Sequence, residues 1–260
     1  MIILFSGCGN TAAVAARLAG ITGDDVVRLD ARLLRDDAPE IAVTGRRVVW
    51  AFPTYSWGVP PVVRSFMRRV RLDGATDVPH VMVTTCGDDI GDCASMWRAA
   101  VRARGWLAGR AFSVQMPNTY TTMSGFDVDS PSLADEKLAA MPARVEQVAA
   151  ELDADGPDDV VRGSWPRLKT RVVYPWFVRM EMSPRPFRHT DACIACGKCM
   201  RACPMANIEP DDDGRPCWGS DCAFCLGCYN VCPVHAVAYG RKTLRKGQYF
   251  YGLGSRPGRK

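Results

Sequence analysis

The sequence predicts a doubly wound parallel α/β domain followed by a small, cysteine-rich α+β unit. Two observations carry that reading. Short apolar runs alternate with helix-like stretches from Met1 to about Leu152, and nine of the twelve cysteines crowd between Cys193 and Cys232. At 260 residues the chain is longer than one average domain. The expected division is residues 1–152 for the α/β domain, 153–190 for a connector, 191–240 for the cysteine unit and 241–260 for a basic tail.

The strands predicted for the first domain are Ile2–Phe5, Val26–Leu29, Arg47–Ala51, Val81–Thr85 and Ala111–Gln115. Helices are predicted over Thr11–Ala19, Pro61–Val70, Asp92–Arg104 and Ser132–Leu152. The last carries Leu138, Val145, Val148 and Leu152 on one recurring face, and Pro142 is expected to kink or break it. Five strands with short intervening helices fit a flavodoxin-like sheet, with a Rossmann strand order as the alternative. Either places a ligand at the carboxyl ends of the strands.

The hydrophobic fraction of 47% and charged fraction of 23% are those of an ordinary soluble protein that needs no staples. No apolar run approaches the roughly 18 residues of a membrane helix. The nearest, Val172–Met182, is interrupted by Arg179 and Glu181. The apolar start Met1–Phe5 has no basic residue before it, so no secretory signal is read and a reducing cytoplasm is expected.

Cys193, Cys196, Cys199 and Cys203, followed by Pro204, read C-x2-C-x2-C-x3-C-P. Cys222, Cys225, Cys228, Cys232 and Pro233 repeat that pattern 29 residues later. Three thiolates spaced in this way wrap three corners of an iron-sulfur cube, and the fourth reaches the other cube. Cys193, Cys196, Cys199 and Cys232 are therefore expected to hold one 4Fe-4S cluster, and Cys203, Cys222, Cys225 and Cys228 the other. Ala195, Gly197, Ala223 and Gly227 leave room for backbone amides near the sulfides. Zinc takes four tetrahedral ligands and has no use for a doubled run of four plus Pro. Cys217 is left over as a free thiol. Two oxidised clusters on eight thiolates carry about −2 each by formal counting. Most of the +5 net charge then disappears, and nucleic acid is not predicted as a partner.

Three loops follow predicted strands at one edge of the sheet. Ser6-Gly7-Cys8-Gly9-Asn10-Thr11 opens the first helix, where free amides and the helix dipole favour a phosphate. Phe52-Pro53-Thr54-Tyr55-Ser56-Trp57-Gly58 offers aromatic planes to a flat ring, and Thr85-Cys86-Gly87-Asp88-Asp89 lies at the same edge. Asp153 to Thr190 is too apolar for a simple linker. Part of it is expected to pack over a cluster or the domain junction, the alternative being a surface segment with scattered aromatics. The tail after Gly240, with seven Lys and Arg and no acid, is expected to be a solvated end that docks an acidic partner.

Cys193 to Tyr239 resembles a bacterial two-cluster 4Fe-4S ferredoxin, with Ile194, Ile208 and Val237 at the positions where that family shields its cubes. The three loops resemble those with which flavodoxins bind FMN. Two departures stand out: Cys8 replaces the usual Thr, and the third loop has no aromatic residue. The whole chain is similar to bacterial fusions of a flavodoxin-like domain with a two-cluster ferredoxin. The match includes Met116-Pro117-Asn118-Thr119-Tyr120 and the closing Gly240-Arg-Lys-Thr. The resemblance implies FMN as a cofactor beside two 4Fe-4S clusters, and electron transfer between flavin and clusters with redox proteins as partners. A flavin-dependent reductase with Tyr120 as proton donor is the second reading, and a redox sensor or interaction module the third. Asp88, Asp89 and His235 are read as ordinary loop or core residues.

Overall fold

The computed structural model describes residues 1–256 and Gly258. Its main sheet has five parallel strands: β1 (Ile2–Leu4), β2 (Val26–Arg28), β3 (Val48–Pro53), β4 (Pro79–Cys86) and β5 (Leu107–Gln115). Their order is β2-β1-β3-β4-β5, which is the flavodoxin-like arrangement and not the Rossmann one. Register is set by Ile2 opposite Val26 and Val49, and by Val48 opposite His80. Between β4 and β5 the register slips by one residue at a bulge. Gly109 lies in it, and a Cβ there would stand 3.0 Å from the His80 carbonyl.

Both faces of the inner sheet are buried, so successive residues of the inner strands enter different cores. Ile3, Phe5, Val48, Trp50 and Met82 face one core, closed by α2 (Pro61–Arg69) and α3 (Cys93–Arg102). Ile2, Leu4, Val49, Val81 and Phe112 face the other, closed by α1 (Asn10–Thr22) and α4 (Pro131–Glu151). Of the kink or break expected at Pro142, the break does not occur: α4 runs through it. The proline removes one helical hydrogen bond, but Met141, Val145 and Val148 around it are buried. Arg17 of α1 also donates to the Pro142 carbonyl at 3.3 Å and to Glu146 at 2.6 Å.

The connector crosses the junction. A π-helical turn at Lys169–Val173 runs into α5 (Tyr174–Met180). Thr170 Oγ1 donates to the Trp57 carbonyl at 2.7 Å and accepts from the Asp92 amide at 2.8 Å. Tyr174 Oη donates to the Val59 carbonyl at 2.5 Å. Gly58 lies under that ring so closely that a Cβ would overlap it.

The cysteine unit pairs β6 (Phe187–His189) with a later strand, β9 (Val237–Tyr239), and holds a hairpin of β7 (Ile208–Pro210) and β8 (Pro216–Trp218). Two one-turn helices, α6 (Lys198–Arg201) and α7 (Gly227–Val231), carry the third cysteine of each run. The tail differs from expectation. Its described part forms a hairpin of β10 (Gln248–Phe250) and β11 (Gly254–Arg256). Thr243, Gln248 and Tyr249 are buried in the structure instead of being solvated. The Tyr251 amide donates to the Cys8 carbonyl at 2.9 Å, and Arg256 donates to the Asn230 and Cys232 carbonyls at 2.5 and 2.9 Å. Among the described residues no helix is long and apolar enough to cross a membrane.

Candidate functional site

The carboxyl ends of β1, β3, β4 and β5 open into a cavity of ≈ 1280 Å³, counting its mouth to solvent. Of the residues singled out in the three loops, Ser6, Gly7, Cys8, Asn10, Thr11, Pro53, Thr54, Tyr55, Trp57, Thr85, Cys86, Gly87 and Asp88 line it. Gly9 and Gly58 do not. Gly9 instead starts α1 with φ +93°, where a Cβ would stand 2.8 Å from the Tyr251 side chain. Thr11 and Thr85 share a hydroxyl hydrogen bond of 2.8 Å that ties the first and third loops. Asn10 Nδ2 donates to the Pro117 carbonyl at 2.8 Å.

The amides of residues 8–11 donate to no protein acceptor among the described hydrogen bonds, while the Ala12 amide is taken by Ser6 Oγ at 3.3 Å. Unsatisfied amides at a helix start that borders a cavity are suited to an anion. That chemistry fits a phosphate. The remainder of the wall is apolar: Tyr120, Met123, Phe126 and Phe177 on one side, with Phe224, Cys225 and Leu226 of the second cysteine run beyond them. Tyr120 meets Phe126 and Phe177 edge-on at 5.7 and 5.6 Å. Sequence reading found the loops but not Phe126, Phe177 or Phe224. These come from distant segments and carry no local motif.

The first loop also docks directly on the cysteine unit. A Cβ at Gly7 would overlap that of Cys225, and one at Gly227 would stand 2.8 Å from the Gly7 carbonyl. Cys8 Sγ donates to the Cys225 carbonyl at 3.4 Å and accepts from Asn230 Nδ2 at 3.4 Å. Burial pushes the Cys8 and Cys86 thiols up to about 12, so both remain neutral. The thiol that replaces Thr in this loop therefore faces the neighbouring unit.

Two further cavities of nearly equal size, ≈ 310 and ≈ 320 Å³ with their open parts, lie in the cysteine unit. One is lined by Cys203, Cys222, Cys225 and Cys228, the other by Cys193, Cys196, Cys199 and Cys232. Among the described residues no three His, Cys, Asp or Glu side chains converge on one ion. Each set of four surrounds a space.

The backbone repeats with the sequence. Ala195 and Phe224 (φ +49° and +54°), Gly197 and Leu226 (+66° and +57°), and Ala206 and His235 (+47° and +52°) form left-handed pairs at the 29-residue offset. Such conformations in non-glycine residues cost about 1–3 kcal/mol each and persist where surrounding structure requires them. Amides turn toward sulfur: Asn207 donates to Cys203 at 3.4 Å, Ala236 to Cys232 at 3.1 Å and Phe224 to Cys222 at 3.3 Å. Ile208 and Val237 are buried beside the cavities, whereas Ile194 is 61% exposed at the rim. Cys217 is exposed on β8.

Residues 185–233 match the family described as a 4Fe-4S dicluster domain. A ferredoxin of Pyrobaculum islandicum is 35% identical over 74 residues, which is 26% of this chain and 68% of that protein. The pyruvate synthase subunit PorD of Methanocaldococcus jannaschii is 36% identical over 59 residues, 22% of this chain and 69% of that one. Among solved structures, a flavodoxin of Streptococcus pneumoniae TIGR4 aligns at 19% identity and a TM-score of 0.35, covering 59% of this chain and 96% of that one. Through its carboxyl-terminal part, the chain belongs to the 4Fe-4S dicluster ferredoxin family.

Proposed function

We propose that the protein is an electron-transfer protein that passes electrons between FMN, held in the large cavity, and two 4Fe-4S clusters. Cys193, Cys196, Cys199 and Cys232 hold the outer cluster, and Cys203, Cys222, Cys225 and Cys228 the one beside the flavin. The observation that carries the reading is Cys225, which lines both the large cavity and a cysteine-lined one. No third element separates the two cofactors there. Free amides at residues 8–11 hold the phosphate, with Ser6 and Thr11 as hydroxyl partners. Tyr55 and Trp57 flank the ring, and the Lys169 ammonium, 5.0 Å from the Trp57 ring centroid, helps fix that face. When bound, flavin supplies the exchange between two-electron chemistry and the single electrons that clusters carry.

Tyr120 favours a second reading, a reductase of a small organic acceptor. Its hydroxyl is buried beside Thr122, and the residue lines the wall of the cavity. Burial pushes its pKa far up, so it stays protonated and able to donate a hydrogen bond to a bound acceptor. Steady turnover of such an acceptor, lost in Tyr120→Phe with cofactor content unchanged, distinguishes this reading from simple carriage. The test of the main reading is anaerobic purification followed by quantitation of iron, sulfide and released flavin. About eight irons and one FMN per chain are expected. Eight irons with no flavin, even after incubation with FMN, would remove the flavin half of the proposal.

A further inference from the structure

The cavity on the flavin side has a group that ligation does not use. Trp218, the last residue of β8, stands on its wall. The indole stacks on Phe187 with centroids 5.9 Å apart and planes 15° from parallel, and Phe187 is held edge-on by Phe224 and Tyr239. The ring has little freedom. Its Nε1 is buried and has no hydrogen-bond partner in the protein. An indole N–H can only donate, and the cysteines that share this cavity wall with it are Cys203, Cys222, Cys225 and Cys228.

The duplication sharpens the point. Twenty-nine residues before Trp218 stands His189, at the end of β6. His189 is not among the residues around the outer cavity, and its Nδ1 lies 3.5 Å from the Thr190 carbonyl. The amide bonds to Cys203 and Cys232 are matched across the repeat. The side-chain donor is not.

We propose that the Trp218 indole N–H donates to a sulfur of the cluster held by Cys203, Cys222, Cys225 and Cys228, and that this bond raises the reduction potential of the flavin-side cluster. The inference rests on the ligand assignment above. Reduction adds one electron to the cluster and increases the negative charge on its sulfurs. A fixed donor therefore stabilises the reduced form more than the oxidised one. The proton stays on the indole nitrogen, and no bond is formed or broken.

The test uses the full chain with both clusters. Trp218→Phe keeps an aromatic ring on Phe187 and removes only the donor. In an anaerobic EPR titration, one of the two cluster waves should move to lower potential, its reduction equilibrium falling about tenfold, or about 59 mV for one electron. The other wave should stay in place. Wild-type protein grown with indole-15N tryptophan should show, by pulsed EPR, a nitrogen coupling on the same cluster that is absent from the variant. Two unmoved waves, or a coupling identical in both proteins, would overturn the inference. If the variant loses iron, the labelled wild type decides alone, and absence of coupling refutes the bond. A wild type without any cluster signal overturns the ligand assignment, and this inference with it.

Discussion

Asn230 is the most economical place to break the junction. It is fully buried on α7, and its side chain reaches three other segments. Nδ2 lies 3.4 Å from Cys8 Sγ, 3.2 Å from the Thr119 carbonyl and 3.1 Å from the Leu226 carbonyl. Oδ1 accepts the Tyr249 amide at 3.0 Å. In Asn230→Ala, the Leu226 carbonyl loses little, because it still accepts the backbone amide of residue 230 at 2.9 Å. The Tyr249 amide and Thr119 carbonyl are stranded, at about 1–3 kcal/mol each. The expected cost is therefore about 4 kcal/mol, a large fraction of a typical stability. At roughly 2–4 °C per kcal/mol for a chain of this size, the midpoint should fall by about 8–16 °C. The assay is anaerobic thermal unfolding at matched iron content, since bound clusters add their own stabilisation. Alkylation of Cys8 should speed up in parallel. A drop below about 3 °C with Cys8 still protected would refute the view that this side chain ties the loop, the cluster helix and the terminal hairpin together.

Other consequences are as direct. His80 is fully buried, accepts from Trp50 Nε1 at 2.9 Å and donates to the Ala75 carbonyl at 3.0 Å, and burial lowers its pKa to about 4. The unfolded chain takes up that proton near 6.5 and the folded one does not. Stability on the order of 3 kcal/mol is thus present above pH 6.5 and lost on acidification toward pH 4. Denaturant melts across this window should show the slope in the wild type and not in His80→Gln. Arg47, 2% exposed, bridges Asp153 and Asp24 at 2.6 Å each. Burial raises the Asp24 pKa, but bonds from Thr22, Arg47 and the terminal amine outweigh it and hold the carboxylate low. Arg47→Met removes the guanidinium from between Asp24 and Asp153 and leaves Asp24 held by Thr22 and the terminal amine, and calorimetry should register a loss of about 1–3 kcal/mol. Gly7→Ala should push Cys225 away, so iron per chain should fall toward about four on desalting. Gly20→Ala, with nothing within 4 Å, should keep its iron and gain about 0.5–1 kcal/mol in a chemical melt.

The inner strands were legible because each carries apolar residues on both faces, as strands of a sheet covered on two sides do, while β2 at the edge is largely exposed. The cysteine sets were legible from spacing, since the doubled run brings each fourth cysteine to the opposite cavity. Pro142 does not interrupt α4 because long-range packing outweighs the local rule: α1 and the sheet hold the helix continuous across it. The tail misled for a similar reason. Its charge suggested solvent, yet Gly247, Gln248 and Tyr249 are buried in succession, Gln248 and Tyr249 bonded to Tyr229 and Asn230 of α7, with Tyr251 bonded to Cys8 some 240 residues away. The aromatic wall at Phe126, Phe177 and Phe224 left no signal, because each residue belongs to a different segment and only the fold brings them together.

The central claim is that a flavin lies against the cluster ligated by Cys225. Low-temperature EPR of protein poised so that the flavin carries one unpaired electron tests it most directly. With the clusters reduced and paramagnetic, the flavin signal should broaden and relax much faster than with the clusters oxidised. Identical flavin relaxation in the two states would contradict the account.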